Sequence, residues 1–263
     1  MKKYLYIIKT TFNDSLTYLS SLLLRFVGFL IIIFVLITLW DFIYSDGTNI
    51  IKGYTFNNMI WYLLLTETIS FTTNSKIARN EVSKDIKTGN IAYQINKPYN
   101  YIIYIICRYI ADTILRFITI AIIAIILGLL FAGSISNFNI ITLLSAIPIY
   151  FFAILIMGLI SILISLSSFW VEESKPFHNI YSKFILIFGI FFPIEMFPKL
   201  VGNILKYTPV YSVSYGPASL IINYSFKSFL SILLSQTITI LIVIALIAIV
   251  YKKGVRNLNV NGG

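Results

Sequence analysis

Long apolar stretches without charge, separated by short polar segments, dominate the chain. A helix needs about 20 apolar residues to cross the ~30 Å hydrocarbon layer of a bilayer. Residues 26–40 carry no charge, and Arg25 and Asp41 at their ends are placed to snorkel, so a first span is predicted over about 22–44. A less apolar stretch that includes Glu67 predicts a second span over 55–74. Residues 117–171 run 55 positions without a charge. That is room for two crossings, and the Gly-, Ser- and Asn-rich residues 133–139 form the turn between them. Spans three and four are placed at about 101–132 and 140–168. Only 11 uncharged residues separate Lys183 from Glu195, so a fifth span, about 177–197, has to begin before Lys183. Residues 228–251 form the sixth, ahead of a tail over 256–263. Before the first span, Tyr4, Leu5, Ile8, Phe12, Leu16 and Leu19 recur at helical spacings among Lys2, Lys3, Lys9 and Asp14. They predict an amphipathic helix over 1–20 lying in the membrane interface, with a polar extension of span one as the plainer reading.

Composition agrees with this pattern. Hydrophobic residues make up 58% of the 263 and charged residues 11%, where a soluble domain carries about 25% charged residues. The fold expected is therefore an all-α integral membrane protein: six transmembrane helices, the N-terminal interfacial helix, and re-entrant helices before the last span. The first apolar run lacks a cleavage pattern behind it and reads as a retained span. The net charge of +10 comes from 20 Lys and Arg against 10 Asp and Glu. In an apolar chain such an excess orients loops and does not argue for nucleic acid. With the N-terminus inside, 14 of these cations lie in inner segments, among them Lys76, Arg79, Lys84, Lys87, Lys252 and Lys253. The outer segments hold only Lys52, Lys199, Lys206 and Lys227. Both termini are thus expected in the cytoplasm, and the excess of Lys and Arg on that side sets the orientation.

Candidate chemistry is sparse. One cysteine, Cys107, allows no internal disulfide and no paired-cysteine site; one histidine, His178, allows no zinc site of the HExxH kind. No Gly-rich phosphate loop ending in Gly-Lys-Ser/Thr is present, so ATP is not expected on this chain. The largest polar island, residues 75–98, places Ile77, Glu81, Lys84 and Asp85 at helical offsets, with Gly89 positioned to stop a short helix. It reads either as a solvated loop or as a docking helix for a cytoplasmic partner. Arg108, Asp112 and Arg116 follow at steps of four and share a helix face. They form either a stripe in the inner interface, or a polar lining of an inner cavity, or a salt-bridge seam to a partner chain. Glu67 is a carboxylate within a span, which is a functional candidate by default. Glu172, Glu173 and His178 invite comparison with intramembrane proteases of the paired-glutamate type. That reading fails, because Phe177 stands where an arginine is required and one histidine is too few to activate water. These residues are expected in the inner loop between spans four and five. Residues 195–227 are apolar yet broken by Pro198, Pro209, Pro217, Gly202 and Gly216, with Pro193 just before them. Such breaks fit short re-entrant helices covered by protein, or an ordinary outer loop.

The order of these elements resembles the membrane subunit of ABC transporters of the second exporter type, the class that includes daunorubicin-like multidrug exporters. The matching features are the amphipathic N-terminus, the six spans, Asp85-x-x-x-Gly89-x-Ile91 leading to Lys97-Pro98, and Phe169-Trp170 before a polar loop. Phe192-Pro193-x-x-x-Phe197-Pro198 followed by Pro209 and Tyr215-Gly216-Pro217 completes them. The likeness implies an ATP-driven exporter subunit of a bacterial cytoplasmic membrane that catalyses nothing itself. Its partners would be separate ABC ATPase subunits, which hold ATP and magnesium, and a second permease subunit, the same or homologous. It also implies that residues 75–98, through Glu81, Lys84, Asp85 and Gly89, couple to the ATPase, with Glu172 and Glu173 as a second inner contact. Pro193, Pro198, Pro209 and Pro217 would then belong to an outer gate. The alternative is an ATP-independent transporter or channel relaying ions through Glu67, Arg108 and Asp112. Such a chain usually shows matching breaks in both halves, whereas the breaks here lie in the second.

Overall fold

The computed structural model describes residues 2–17, 19–45, 50–135 and 138–261, which are almost wholly helical and contain no strand. Four helices are long and apolar enough to cross a membrane: Leu23–Ser45, Tyr101–Phe131, Ile140–Phe169 and Phe226–Arg256. They coincide with predicted spans one, three, four and six. In chain order the helices are α1 (Lys2–Thr17), α2 (Leu19–Ser45), α3 (Phe56–Thr73), α4 (Val82–Lys87, entered through the π-helical turn Ile77–Glu81), α5 (Asn90–Ile95) and α6 (Tyr101–Phe131). There follow α7 (Ile140–Leu166), α8 (Lys175–Ile185), α9 (Lys199–Leu205), α10 (Gly216–Ile222, entered through the π-helical Tyr211–Tyr215) and α11 (Phe226–Asn261). Between α2 and α3, Lys52 and Gly53 both take positive φ, and Ile51 and Tyr54 pair across this tight turn.

The second predicted span, α3, falls outside the set of apolar helices because Asn57, Asn58, Glu67 and four threonines interrupt it. It is instead more enclosed than any of the long apolar helices, with 12 of its 18 residues buried between α2, α6, α7 and α10. Burial is tolerated because the hydroxyls of Thr66, Thr68 and Thr73 donate to the carbonyls of Tyr62, Leu64 and Ile69, at 2.7–2.9 Å. The fifth predicted span needs its end corrected. After α8 the helix widens into a π-helical stretch, Leu186–Phe191. It stops there, six residues before the expected 197, because Phe192 is extended (φ −132°, ψ 129°) ahead of Pro193. Where re-entrant helices are predicted, the structure has two short helices. These are α9 and then α10, whose π-helical first part Tyr211–Tyr215 runs on as Gly216–Ile222.

Close packing of the long helices depends on small residues. A Cβ on Gly158 of α7 would lie 2.2 Å from the ring of Tyr109 in α6, and one on Gly128 would lie 2.3 Å from the Trp61 indole of α3. Two apolar clusters result. One joins α4, α6 and α7 around Tyr109, Ile156 and Val82. The other joins α2, α3 and α6 around Phe29, Trp40 and Ile60.

Candidate functional site

The polar island folds as two short helices clamped onto the long ones. Ser75 opens it: its hydroxyl accepts the Ile77 N–H at 3.2 Å and donates to Asp112 at 2.8 Å. α4 then starts with a π-helical turn, Ile77–Glu81, and continues as Val82–Lys87. Ile77, Ala78, Val82 and Ile86 point into the core shared with α6 and α7. That leaves Lys84, Lys87 and Thr88 on the exposed face. Gly89 ends the helix with φ at +72°, and a Cβ there would meet nothing within 4 Å, so its constraint is backbone conformation alone. α5 (Asn90–Ile95) follows at once.

Each carboxylate of the island is spoken for. Asp85 accepts from Asn90 at 2.7 Å and from the Tyr101 hydroxyl at 2.8 Å, tying α4 to α5 and α6. Glu81 forms a two-pronged ion pair with Arg108, whose second hydrogen bond is 3.3 Å long. The Arg108 guanidinium also lies over the Tyr104 ring, 5.5 Å from its centre. Between the helices lies a polar recess of ≈450 Å³ lined by Glu81, Lys84, Asp85, Asn90, Tyr104 and Arg108.

The four-step stripe on α6 therefore faces the island. Arg108 pairs with Glu81, and Asp112 takes Ser75, Arg116 and, at 3.4 Å, Ser15 of α1. The stripe's hydrogen bonds and ion pairs run within the chain, to the island and to α1. Helix α1 runs along the first turns of α6, with the Tyr4 hydroxyl accepting the Asn100 N–H at 3.1 Å and Lys3 donating to the Pro98 carbonyl. Glu67 is buried in α3, two turns before Asn74. Among the described residues no hydrogen bond joins it to Glu81, Arg108, Asp112 or Arg116.

Glu172 and Glu173 stand exposed in the turn before α8, and Glu173 meets Lys87 at 3.9 Å. Both side chains of that pair are well exposed, so it contributes little. Buried hydroxyls hold the island to the end of α7 more firmly. Ser83 bonds Ser168 at 2.6 Å, and Ser165 donates to the Ala78 carbonyl at 2.7 Å. His178 corrects the sequence reading: it sits inside α8, only 3% exposed, with Nε2 2.9 Å from the Ser165 hydroxyl. Those serines gave no sequence signal, because serine is neutral to hydropathy.

Toward the other end of α3, the four prolines stand at separate breaks in the chain. Pro193 follows the end of the π-helical stretch, Pro198 precedes α9, Pro209 lies just ahead of α10, and Pro217 sits within α10. What gathers there is Glu195, which accepts from the Tyr54 hydroxyl at 3.4 Å and from Tyr215. The Tyr62 hydroxyl nearby donates to the Gly189 carbonyl at 2.6 Å. Glu195 was legible in principle, as the lone acid among the last 90 residues.

A model of the family described as "ABC-2 family transporter protein" matches residues 30–262. No curated protein matches the chain.

Proposed function

The chain belongs to the ABC-2 family of transporter membrane proteins, and from that premise we propose that it is one permease of an ATP-driven exporter. Two such permeases, the same or homologous, assemble with two separate ABC ATPase subunits, which carry ATP and magnesium. Six crossings, with α3 and the broken α8 as the second and fifth, enclose half of the pathway. Both termini face the cytoplasm of a bacterial cell. The chain itself is a transport subunit and catalyses no reaction.

One observation carries the reading: residues 75–98 form a helix pair whose charged face is exposed while its carboxylates are locked to α6. A push on the exposed Lys84, Lys87 and Thr88 reaches α6 through Glu81–Arg108 and Asp85–Tyr101, and reaches α7 through Ser165 and Ser83. Glu172 and Glu173 adjoin the same surface through Lys87. A helix so braced transmits displacement, which a solvated loop cannot do. The short helices α9 and α10, with Pro193, Pro198, Pro209 and Pro217 at their breaks, then act as the outer gate. The ion-relay alternative draws less support, since Arg108 and Asp112 are already engaged with the island and Glu67 stands apart from them.

The test is a gentle-detergent pull-down of the tagged chain with an ATPase assay on the eluate. A P-loop ATPase is expected to co-purify, and the E81A D85A double variant is expected to insert normally but lose either the ATPase or its coupling to transport. An eluate without any ATPase, or a double variant with unaltered coupling, overturns the proposal.

A further inference from the structure

Three guanidiniums converge on Asn74, the residue between α3 and the polar island. Arg25 of α2 donates to its carbonyl at 3.0 Å, Arg116 of α6 to the same oxygen at 3.5 Å, and Arg79 of α4 to its side-chain oxygen at 2.8 Å. Lys76 stands exposed two residues on. Asp112, paired with Arg116, is the one carboxylate in these hydrogen bonds, so three guanidiniums share a single anion. Asn74 is itself exposed, which leaves the surplus positive charge open to a further ligand.

The two helices that carry Arg25 and Arg116 run in the same direction and touch little beyond this point. Between them lies an apolar groove of ≈180 Å³, lined by Leu30, Ile33, Phe34 and Ile37 of α2 and by Leu127 and Phe131 of α6. At ~1.5 Å of rise per residue, these side chains lie roughly 8–22 Å along the helices from the arginines. Half of a hydrocarbon layer ~30 Å thick is ~15 Å, so the groove opens within the inner leaflet at Leu30 and Ile33 and runs past the midplane at Leu127 and Phe131.

We propose that this is a binding site for one resident anionic phospholipid of the inner leaflet. Its phosphate sits among Arg25, Arg79 and Arg116, and an acyl chain fills the groove between α2 and α6. The charge decides the class of headgroup: each guanidinium near a membrane surface attracts an anionic lipid by about 1 kcal/mol, or roughly fivefold in retention, and a zwitterionic headgroup forgoes that gain. The lipid fills a groove that no side chain of this chain occupies and neutralises the joint where α3 passes into the island. The site rests on the arrangement of α2 and α6 and stands whether or not the chain is driven by ATP.

The experiment is native mass spectrometry of the purified full-length protein after exchange into detergent with added phosphatidylglycerol or phosphatidylcholine. The expected result is one phosphatidylglycerol retained per chain in preference to phosphatidylcholine. Retention should fall about fivefold in R25Q, recover in R25K, and fall likewise in L127W, which fills the groove and leaves every charge in place. Thermal unfolding of the same samples shows that each variant is folded, and L127W decides the matter if R25Q is not. Equal retention of the two lipids, unaffected by R25Q, means an ordinary lipid shell and overturns the site. Retention that L127W leaves intact but inorganic phosphate abolishes means a bare anion site, which overturns the lipid. Loss of an oligomer in L127W with lipid retention unchanged assigns the groove to a second copy of the chain and equally overturns it.

Discussion

At the scale of single residues, Glu81 and Arg108 form the ion pair that joins the island to α6. Their side chains are 38% and 26% exposed, so the pair is partly shielded from solvent without being buried. E81A and R108A are expected to destabilise the protein, and the double variant by less than their sum, with a coupling of about 1 kcal/mol by thermal unfolding. Strict additivity would mean that the two side chains do not act together. Gly89 makes a different demand. Its positive φ costs an alanine about 1 kcal/mol, while its surroundings would accept the methyl group, so G89N should lower the melting temperature less than G89A. The residue types in the island were legible from the sequence, and so was the face shared by Arg108, Asp112 and Arg116. Their partners were not. Glu81 reaches Arg108 out of a π-helical turn that no spacing rule encodes, and Ser75, Ser83 and Ser165 act across distances of 37 to 87 residues in the chain.

At the scale of elements, the packing of α6 on α7 through Tyr109 and Gly158 is the most exposed to test. The Tyr109 ring is buried, and its hydroxyl is fixed to the Ile154 carbonyl at 3.0 Å, so it cannot swing away from an added methyl. G158A is expected to cost about 1–3 kcal/mol in overpacking, seen as a lower unfolding temperature in detergent. An unchanged temperature would mean that the helices do not approach this closely. The four strongly apolar helices were evident from uncharged runs alone. α3 forms a helix where the second span is expected, although its threonines, asparagines and Glu67 weaken the apolar signal. The fifth helix was overrun at its end, since hydropathy continues through Phe192 to Phe197 while the backbone is already committed to Pro193. The packing of α1 against α6 was equally hidden, since its buried edge is Thr11, a residue with no hydrophobic signal.

At the scale of the whole molecule, the predicted orientation can be read with cysteines. After Cys107 is replaced by serine, K206C and K227C should react with a membrane-impermeant maleimide added outside intact cells, whereas T88C and K252C should react only after lysis. The reverse pattern would invert the topology and place the polar island on the wrong side for an ATPase. Within this frame the π-helical stretches have a notable distribution. Among the described residues there are three, Ile77–Glu81, Leu186–Phe191 and Tyr211–Tyr215, and none lies in the four long apolar helices. Each holds one residue more per turn than an α-helix requires, and that surplus is slack. A wide turn can travel along its helix one step at a time, each step exchanging one hydrogen bond for the next and shifting the residue it passes by about 1.5 Å and about 100° around the axis. Such register changes are open to the island and to the segments around α8 and α10, while the four long helices keep the regular ladder of struts.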